Sequence, residues 1–321
     1  MEKPRVLVTR RWPLEVERVL AQRFDTVLNE DDRPLTESDL STALRNFDAV
    51  LPTVSDRLPA TVFEQPNVRT KILGNFGVGY NHIDVKAAHA AGIAVTNTPG
   101  VLTDCTADIA LTLMLMAARR AGEGERQLRA GGWKGWCPTH LLGSQLTGKT
   151  LGIIGMGRIG RATARRAHFG FGMKIVYFNR SDVDDELALT ALRMKTIDEV
   201  MAASDFVSLH CPGGAENRHL VDRRRLGLMK PDAFLINTAR GDVVDTVALV
   251  EALKKGSIAG AGLDVFEGEP SVPFELMKLE NVVLLPHLGS ATKETRIAMG
   301  MKVVDNITAF LDGYDPPDRI A

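Results

Sequence analysis

Residues 151–160 read LGIIGMGRIG, and they restrict the fold more than any other stretch of the 321-residue chain. A glycine triplet alone says little, because a glycine-rich turn needs no ligand. Here Gly155, Gly157 and Gly160 directly follow the apolar, strand-like TLGII and open the helix-like RIGRATARRAHFG, and that context makes the pattern informative. In a strand–turn–helix unit Gly155 permits the tight turn and Gly157 lets backbone N–H groups approach a pyrophosphate. Gly160 then lets the helix pack close to the sheet. The helix N-terminus adds partial positive charge toward the phosphates.

Apolar runs extend the pattern on both sides. From residue 150 six strand candidates follow in order: TLGIIG, KIVYF, DFVSLH, AFLINTA, GAGLDVF and VVLLPH. Helical stretches such as VALVEALKKG separate most of them, with Gly256 as a C-terminal stop. The first hundred residues alternate in the same way, through RVLVT, a helical stretch from Leu14 to Phe24, AVLPT, KILGNFG and IAVTNTP. Strand and helix in alternation predict parallel sheets with helices on their faces.

Between these parts a long helix is expected over roughly Asp104 to Ala130, buried in its first half and polar in its second. Gly131 and Gly132 end it, and a loop with Trp133, Trp136, Pro138 and His140 follows. A closing amphipathic helix, opened by Ser290 and stopped by Gly313 and the Pro316-Pro317 pair, places Ile297, Met301, Val304, Ile307 and Leu311 on one face. No later segment is available to cover that face, so the helix is expected to return to the N-terminal domain. The predicted architecture is α/β, with two doubly wound parallel-sheet, Rossmann-like domains and a cleft between them. Residues 1–99 plus 290–321 form a discontinuous substrate-binding domain, and residues 100–289 the dinucleotide-binding domain.

Composition narrows the partners. A net charge of −1 gives no long-range attraction for nucleic acid or for a membrane surface, while small charged metabolites stay open. The three cysteines, Cys105, Cys137 and Cys211, are scattered, which suggests neither a disulfide framework nor a metal site. MEKPRVLVTR has no apolar leader region, and the most apolar run, at 109–118, is too short to span a bilayer. A cytoplasmic protein is expected.

About twenty residues past the glycine turn, a dinucleotide fold usually carries an acid that binds the ribose 2′-OH. Here Asn179, Arg180 and Ser181 stand at the strand end. A guanidinium grips phosphate oxygens through two parallel N–H bonds, and the amide and hydroxyl add donors, so NADP(H) is the preferred cofactor, with NAD(H) possible. The alternative leaves Arg180 as a solvated strand-end residue, with Asp182 shifting inward to the ribose.

Three ionisable residues reach the carboxyl edge of the same sheet, where open α/β sheets bind ligands. Arg240 follows AFLINTA, Glu269 follows GLDVFEG, and His287 closes VVLLPH. Arg240 suits the carboxylate and carbonyl of a 2-keto acid, His287 can exchange a proton with the carbonyl oxygen, and Glu269 favours the protonated imidazole. Each also has a plain structural reading: a lone core histidine, an Arg240 pair with Asp242 or Asp245, and a Glu269 cap on the turn before Pro270. Three such coincidences at one sheet edge favour the joint functional reading.

The ordered motifs NFGVGYNHID, LGIIGMGRIGRATARR, HCPG, INTARGDVVD, AGLDVFEGEP and LPHLGSAT cover most of the chain. In this set the sequence resembles the D-isomer-specific 2-hydroxyacid dehydrogenases, most of all their glyoxylate/hydroxypyruvate reductase branch. The resemblance implies that Arg240, Glu269 and His287 are the catalytic residues and that the backbone N–H groups of Val78 and Gly79 hold the substrate carboxylate. It places Thr106, Arg158, Ile159, Cys211, Pro212, Thr238, Asp264 and Gly289 at cofactor contacts, with Asp264 facing the nicotinamide carboxamide. It further implies a homodimer in which the loop from Trp133 to His140 reaches the neighbouring active site. Those tryptophans serve equally as interface core. One departure is Asp108, where the family commonly has glutamate. With Ala321 as the last residue, the regulatory domain appended to many phosphoglycerate dehydrogenases is not expected, which lowers the case for that substrate.

The leading expectation is therefore NADPH-dependent reduction of glyoxylate to glycolate and of hydroxypyruvate to D-glycerate. Leu51, Pro52, Phe76 and the region around the partner's Trp136 are expected to wall the pocket. The alternatives are another D-2-hydroxyacid dehydrogenase acting on a larger 2-keto acid, and a cofactor-sensing binding protein of the corepressor type.

Overall fold

The computed structural model describes residues 2–183 and 191–320. Its contacts divide the chain into two units, Met1–Leu102 with Ala291–Ala321, and Thr103–Ser290.

In the first unit β1 (Arg5–Val8), β2 (Asp25–Leu28), β3 (Ala49–Leu51), β4 (Ile72–Gly74) and β5 (Ala94–Thr96) form one parallel sheet in the order β2-β1-β3-β4-β5. This is a doubly wound order, reversing between β1 and β3. Strands β3, β4 and β5 are buried throughout, which is why they read as unbroken apolar runs. β2, with the sequence DTVL, was not expected from the sequence. It pairs on one flank only and alternates exposed with half-buried residues, so no apolar run marks it.

The helix Lys293–Leu311 packs across β4, because Gly74 carries no side chain in its way. A Cβ there would lie 2.6 Å from Val303 Cγ1. At Gly300 the same helix meets Val16 of the helix Leu14–Arg23. These close approaches centre the buried seam on Met299, Gly300, Val303, Val304 and Ile307, leaving Ile297, Met301 and Leu311 only partly covered. The helix begins at Thr292, whose hydroxyl accepts the Thr295 N–H, two residues later than the expected start at Ser290.

The second unit carries β6 (Thr150–Ile154), β7 (Lys174–Phe178), β8 (Ala191–Arg193), β9 (Phe206–Leu209), β10 (Phe234–Asn237), β11 (Gly260–Leu263) and β12 (Val282–Leu284). All are parallel in the order β12-β11-β10-β9-β6-β7-β8, so the winding reverses between β6 and β9, at the glycine turn. β8 is a further three-residue edge strand without an apolar run.

The long helix expected over 104–130 is two helices, Thr103–Ala118 and Ala121–Arg129, with Arg120 left-handed at φ 52° between them. The returning backbone at Gly143 and Ser144 takes the place of the next turn. Ser144 N–H donates to Ala118 O at 2.8 Å, and a Cβ on Gly143 would sit 2.3 Å from that oxygen. The first helix buries Ala107, Ala110, Leu111, Leu113 and Met114, whereas the second buries no residue.

Candidate active site

At the carboxyl edge of the second sheet, His287 Nδ1 lies 2.8 Å from Glu269 Oε2. The other carboxylate oxygen accepts the Phe266 N–H at 2.8 Å, so Glu269 both closes its turn and holds the imidazole. Burial raises the Glu269 pKa, but the bond and charge of His287, the Phe266 N–H and the charge of Arg240 outweigh it. The carboxyl titrates below the usual glutamate range.

His287 sits at φ 56°, an unfavourable region for a residue with a side chain, so its surroundings must hold it there. They do so through Asp264. The backbone oxygen of Asp264 accepts the His287 N–H at 2.9 Å, and its buried carboxylate accepts the Leu288 and Gly289 N–H groups at 2.6 and 2.7 Å. Burial nevertheless pushes the Asp264 carboxyl above the usual aspartate value.

Arg240 follows β10, half-buried, with Nη1 donating to Ala239 O at 2.7 Å. Its backbone oxygen accepts from Asn237 Nδ2 at 2.9 Å. The next residue, Gly241, packs against the Phe266–Glu267 backbone so closely that a Cβ would lie 1.9 Å from Phe266 C. This contact ties the arginine turn to the turn carrying Glu269. Asp242 and Asp245, the alternative partners, are engaged elsewhere: Asp242 accepts the Gly214 N–H, and Asp245 caps the helix Thr246–Lys254. Desolvation pulls the guanidinium pKa down, opposed by the charges of Glu269 and Asp242.

The glycine turn fits a dinucleotide phosphate. Gly155 has φ 96°, and a Cβ on it would lie 2.7 Å from Cys211 N. A Cβ on Gly160 would meet Gly155 O at 2.2 Å, so the turn and helix are in direct contact. In front of Gly157 there is open space, and no side chain caps the helix Arg158–Phe171 that it precedes. The first-turn N–H groups, with Arg158 and Ile159 among them, thus meet what an anion needs. Thr238 adds a second sign, since its buried hydroxyl has no hydrogen-bond partner among the described residues. Thr106 Oγ1 donates to Gly289 O at 2.9 Å, and Pro212 O accepts from Asn217 Nδ2 at 2.8 Å.

Beyond β7, Asn179 Oδ1 accepts the Met156 N–H at 3.0 Å, and its amide donates to Ser181 O at 3.0 Å. Asn179 therefore ties the strand end to the glycine turn. Arg180 donates to Glu216 Oε2 at 2.9 Å and to Asn217 Oδ1. Asp182 is exposed and pairs with Arg193.

In the first unit, Val78 and Gly79 lie in the loop that leaves β4. Asn97 Nδ2 donates to Val78 O at 2.9 Å, and Asn75 Nδ2 donates to Gly77 O and Gly79 O at 3.0 and 3.1 Å.

Residues 111–289 match the model of the D-isomer specific 2-hydroxyacid dehydrogenase NAD binding domain. The chain belongs to the D-isomer specific 2-hydroxyacid dehydrogenase family. This dehydrogenase is 45% identical over 325 residues to the glyoxylate reductase of Thermococcus litoralis, covering 99% of this chain and 97% of the relative. The glyoxylate reductase of Pyrococcus furiosus is 45% identical over 322 residues, covering 99% and 95%. Among solved structures, a putative D-isomer specific 2-hydroxyacid dehydrogenase from Polaromonas superposes with a TM-score of 0.92 at 40% identity, covering 99% and 100%. The NADPH-dependent glyoxylate/hydroxypyruvate reductase of Sinorhizobium meliloti, in complex with NADP and malonate, does so with a TM-score of 0.88 at 38% identity, covering 100% and 97%.

The dehydrogenase is thus an NAD(P)-dependent oxidoreductase with an α/β fold. Its second unit brings Arg240, Glu269 and His287 to one sheet edge and Gly155, Gly157 and Gly160 to another part of that edge. Asp108, where the family commonly has glutamate, pairs with Arg166 together with Asp104, at 2.7 and 2.8 Å. Leu51, expected at the pocket wall, is fully buried against Gly74. Sequence reasoning missed the residues that hold these turns: Asn75 and Asn97 in the first unit, and Asn237 and the pinning role of Asp264 in the second. Asn75 and Asn237 each stand at the end of an apolar strand, where a buried amide secures the following turn.

Proposed function

We propose that this dehydrogenase reduces small 2-keto acids, converting glyoxylate to glycolate and hydroxypyruvate to D-glycerate, with NADPH preferred and NADH accepted. The observation that carries the reading is the 2.8 Å bond between His287 and Glu269 at the sheet edge that also carries Arg240. A bound nicotinamide cofactor supplies the hydride. Glu269 occupies Nδ1, so Nε2 is the ring nitrogen left for the substrate, and His287 donates its Nε2 proton to the carbonyl oxygen. The neutral ring keeps its Nδ1–H, donated to the Glu269 carboxylate, until solvent reloads Nε2. Arg240 binds the carboxylate and polarises the carbonyl, and the N–H groups of Val78 and Gly79 bind the carboxylate. Run backwards, the same groups oxidise a D-2-hydroxy acid.

The substrates are supported by the glyoxylate reductases and the glyoxylate/hydroxypyruvate reductase to which the chain is similar over its length. The NADPH preference is supported by Arg180, whose fork suits a 2′-phosphate, and by Asp182 being paired with Arg193. A homodimer is supported by the segment 121–145, whose helix Ala121–Arg129 buries nothing and whose Leu128, Trp133, Trp136 and Leu142 are exposed. Light scattering of the purified protein tests that state. Oxidation of NADPH and NADH against a panel of 2-keto acids tests the reaction. The expected result is the highest kcat/KM for glyoxylate and hydroxypyruvate with NADPH, and a higher value for a branched keto acid would overturn the substrate assignment.

A further inference from the structure

Resting on the reading that Val78 and Gly79 receive the substrate carboxylate, we propose that Asn75 is a positioning residue that turns their loop into an anion receptor, with His82 and Asn97 completing the clamp. Any loop carries acceptors as well as donors, and a carbonyl facing the bound carboxylate would repel it. From Gly77 to Tyr80 the carbonyls are all engaged. Gly77 O accepts from Asn75 Nδ2 at 3.0 Å and from Thr98 N at 3.1 Å. Val78 O accepts from Asn97 Nδ2 at 2.9 Å, Gly79 O from Asn75 Nδ2 at 3.1 Å, and Tyr80 O from Ile83 N at 3.0 Å. By contrast, among the described residues the N–H groups of Val78 and Gly79 donate to no protein acceptor. The loop is left with donors to offer and no free acceptor beside them, which is the requirement for a backbone anion site.

Asn75 is fully buried, and removing its amide leaves Gly79 O without its protein partner and Gly77 O with Thr98 N alone, so the peptide planes have reason to turn. Its orientation is determined by its partners. Carbonyl oxygens only accept, so Nδ2 must face Gly77 and Gly79, and Oδ1 faces His82 Nε2 at 2.9 Å. His82 therefore presents Nε2–H to Asn75 and prevents the amide from flipping. The two asparagines act on the substrate through the backbone and need not touch it.

The test uses the full-length enzyme carrying Asn75→Ala, Asn97→Ala, His82→Ala and His82→Gln, with NADPH and with oxamate as an unreactive planar analogue. Asn75→Ala is expected to raise the KM for glyoxylate and the Ki for oxamate by about tenfold or more, with the Kd for NADPH unchanged. Asn97→Ala and His82→Ala are expected to move in the same direction, and His82→Gln, which keeps a donor for Oδ1, to restore values near the wild type. If Asn75→Ala does not fold, the other three variants carry the same comparison. A crystal of the wild type with NADPH and oxamate separates the two levels. Oxamate away from the Val78 and Gly79 N–H groups overturns the reading beneath the proposal. Oxamate on them, with its Ki unchanged in the folded variants, overturns the proposal alone.

Discussion

His287 Nδ1 and Glu269 Oε2 are 2.8 Å apart, although the two residues reach each other from different strands, β12 and β11. The bond does more than orient a ring. Glu269 spends its second oxygen on the Phe266 N–H, and His287 is kept in its left-handed backbone conformation by Asp264, so neither partner is free to drift. An imidazole held in this way, in the proposed role of proton donor, loses little entropy when a substrate arrives.

Replacing His287 with glutamine removes the proposed proton donor while keeping a side chain of similar reach. Turnover of glyoxylate is expected to fall by about a hundredfold to ten-thousandfold, with the Kd for NADPH unchanged. Stopped-flow and equilibrium binding measurements check this, and retained turnover would take His287 out of the mechanism.

Arg240→Lys keeps the charge but loses the two-pronged donor. The KM for glyoxylate is expected to rise by about tenfold or more in steady-state kinetics. An unchanged KM would place the substrate carboxylate elsewhere.

Glu269 titrates below the usual glutamate range, so its pair with His287 is complete above that range and is lost as pH falls through the lowered value. The pH profile of kcat/KM is expected to show an acid limb below the ordinary glutamate titration. Glu269→Gln is expected to lack that limb and to be slower by about tenfold across the profile. An acid limb that persists in the variant would assign it to another group.

Arg180→Ala tests the cofactor reading. The kcat/KM for NADPH is expected to fall by about tenfold or more, with little change for NADH. Equal losses with both cofactors would return Arg180 to its pairing with Glu216 and Asn217 as a purely structural residue.

Gly74→Ala tests how closely the helix Lys293–Leu311 approaches β4. An added Cβ would stand 2.6 Å from Val303 and 2.8 Å from Leu51, and chemical denaturation is expected to show a loss of about 1–3 kcal/mol. Unchanged stability would mean that the helix shifts freely.

The fold class, the glycine turn and the three ionisable residues at strand ends were legible before any coordinates, because each is written in contiguous residues. Buried parallel strands need unbroken apolar runs, and a phosphate cradle needs its glycines at set spacings. The edge strands β2 and β8, the break at Arg120 and the seam of the last helix emerged from packing in three dimensions. Each of these depends on a neighbour far along the chain: β1 and β7 for the strands, Gly143 and Ser144 for the break, Gly74 and Val16 for the seam. The same holds for the supports within each unit, where Asp264 pins Leu288 and Gly289 in the second and Asn97 holds Val78 in the first. A buried hydrogen bond is set by distance in space, and local sequence pattern carries no record of which distant group will stand within 3 Å.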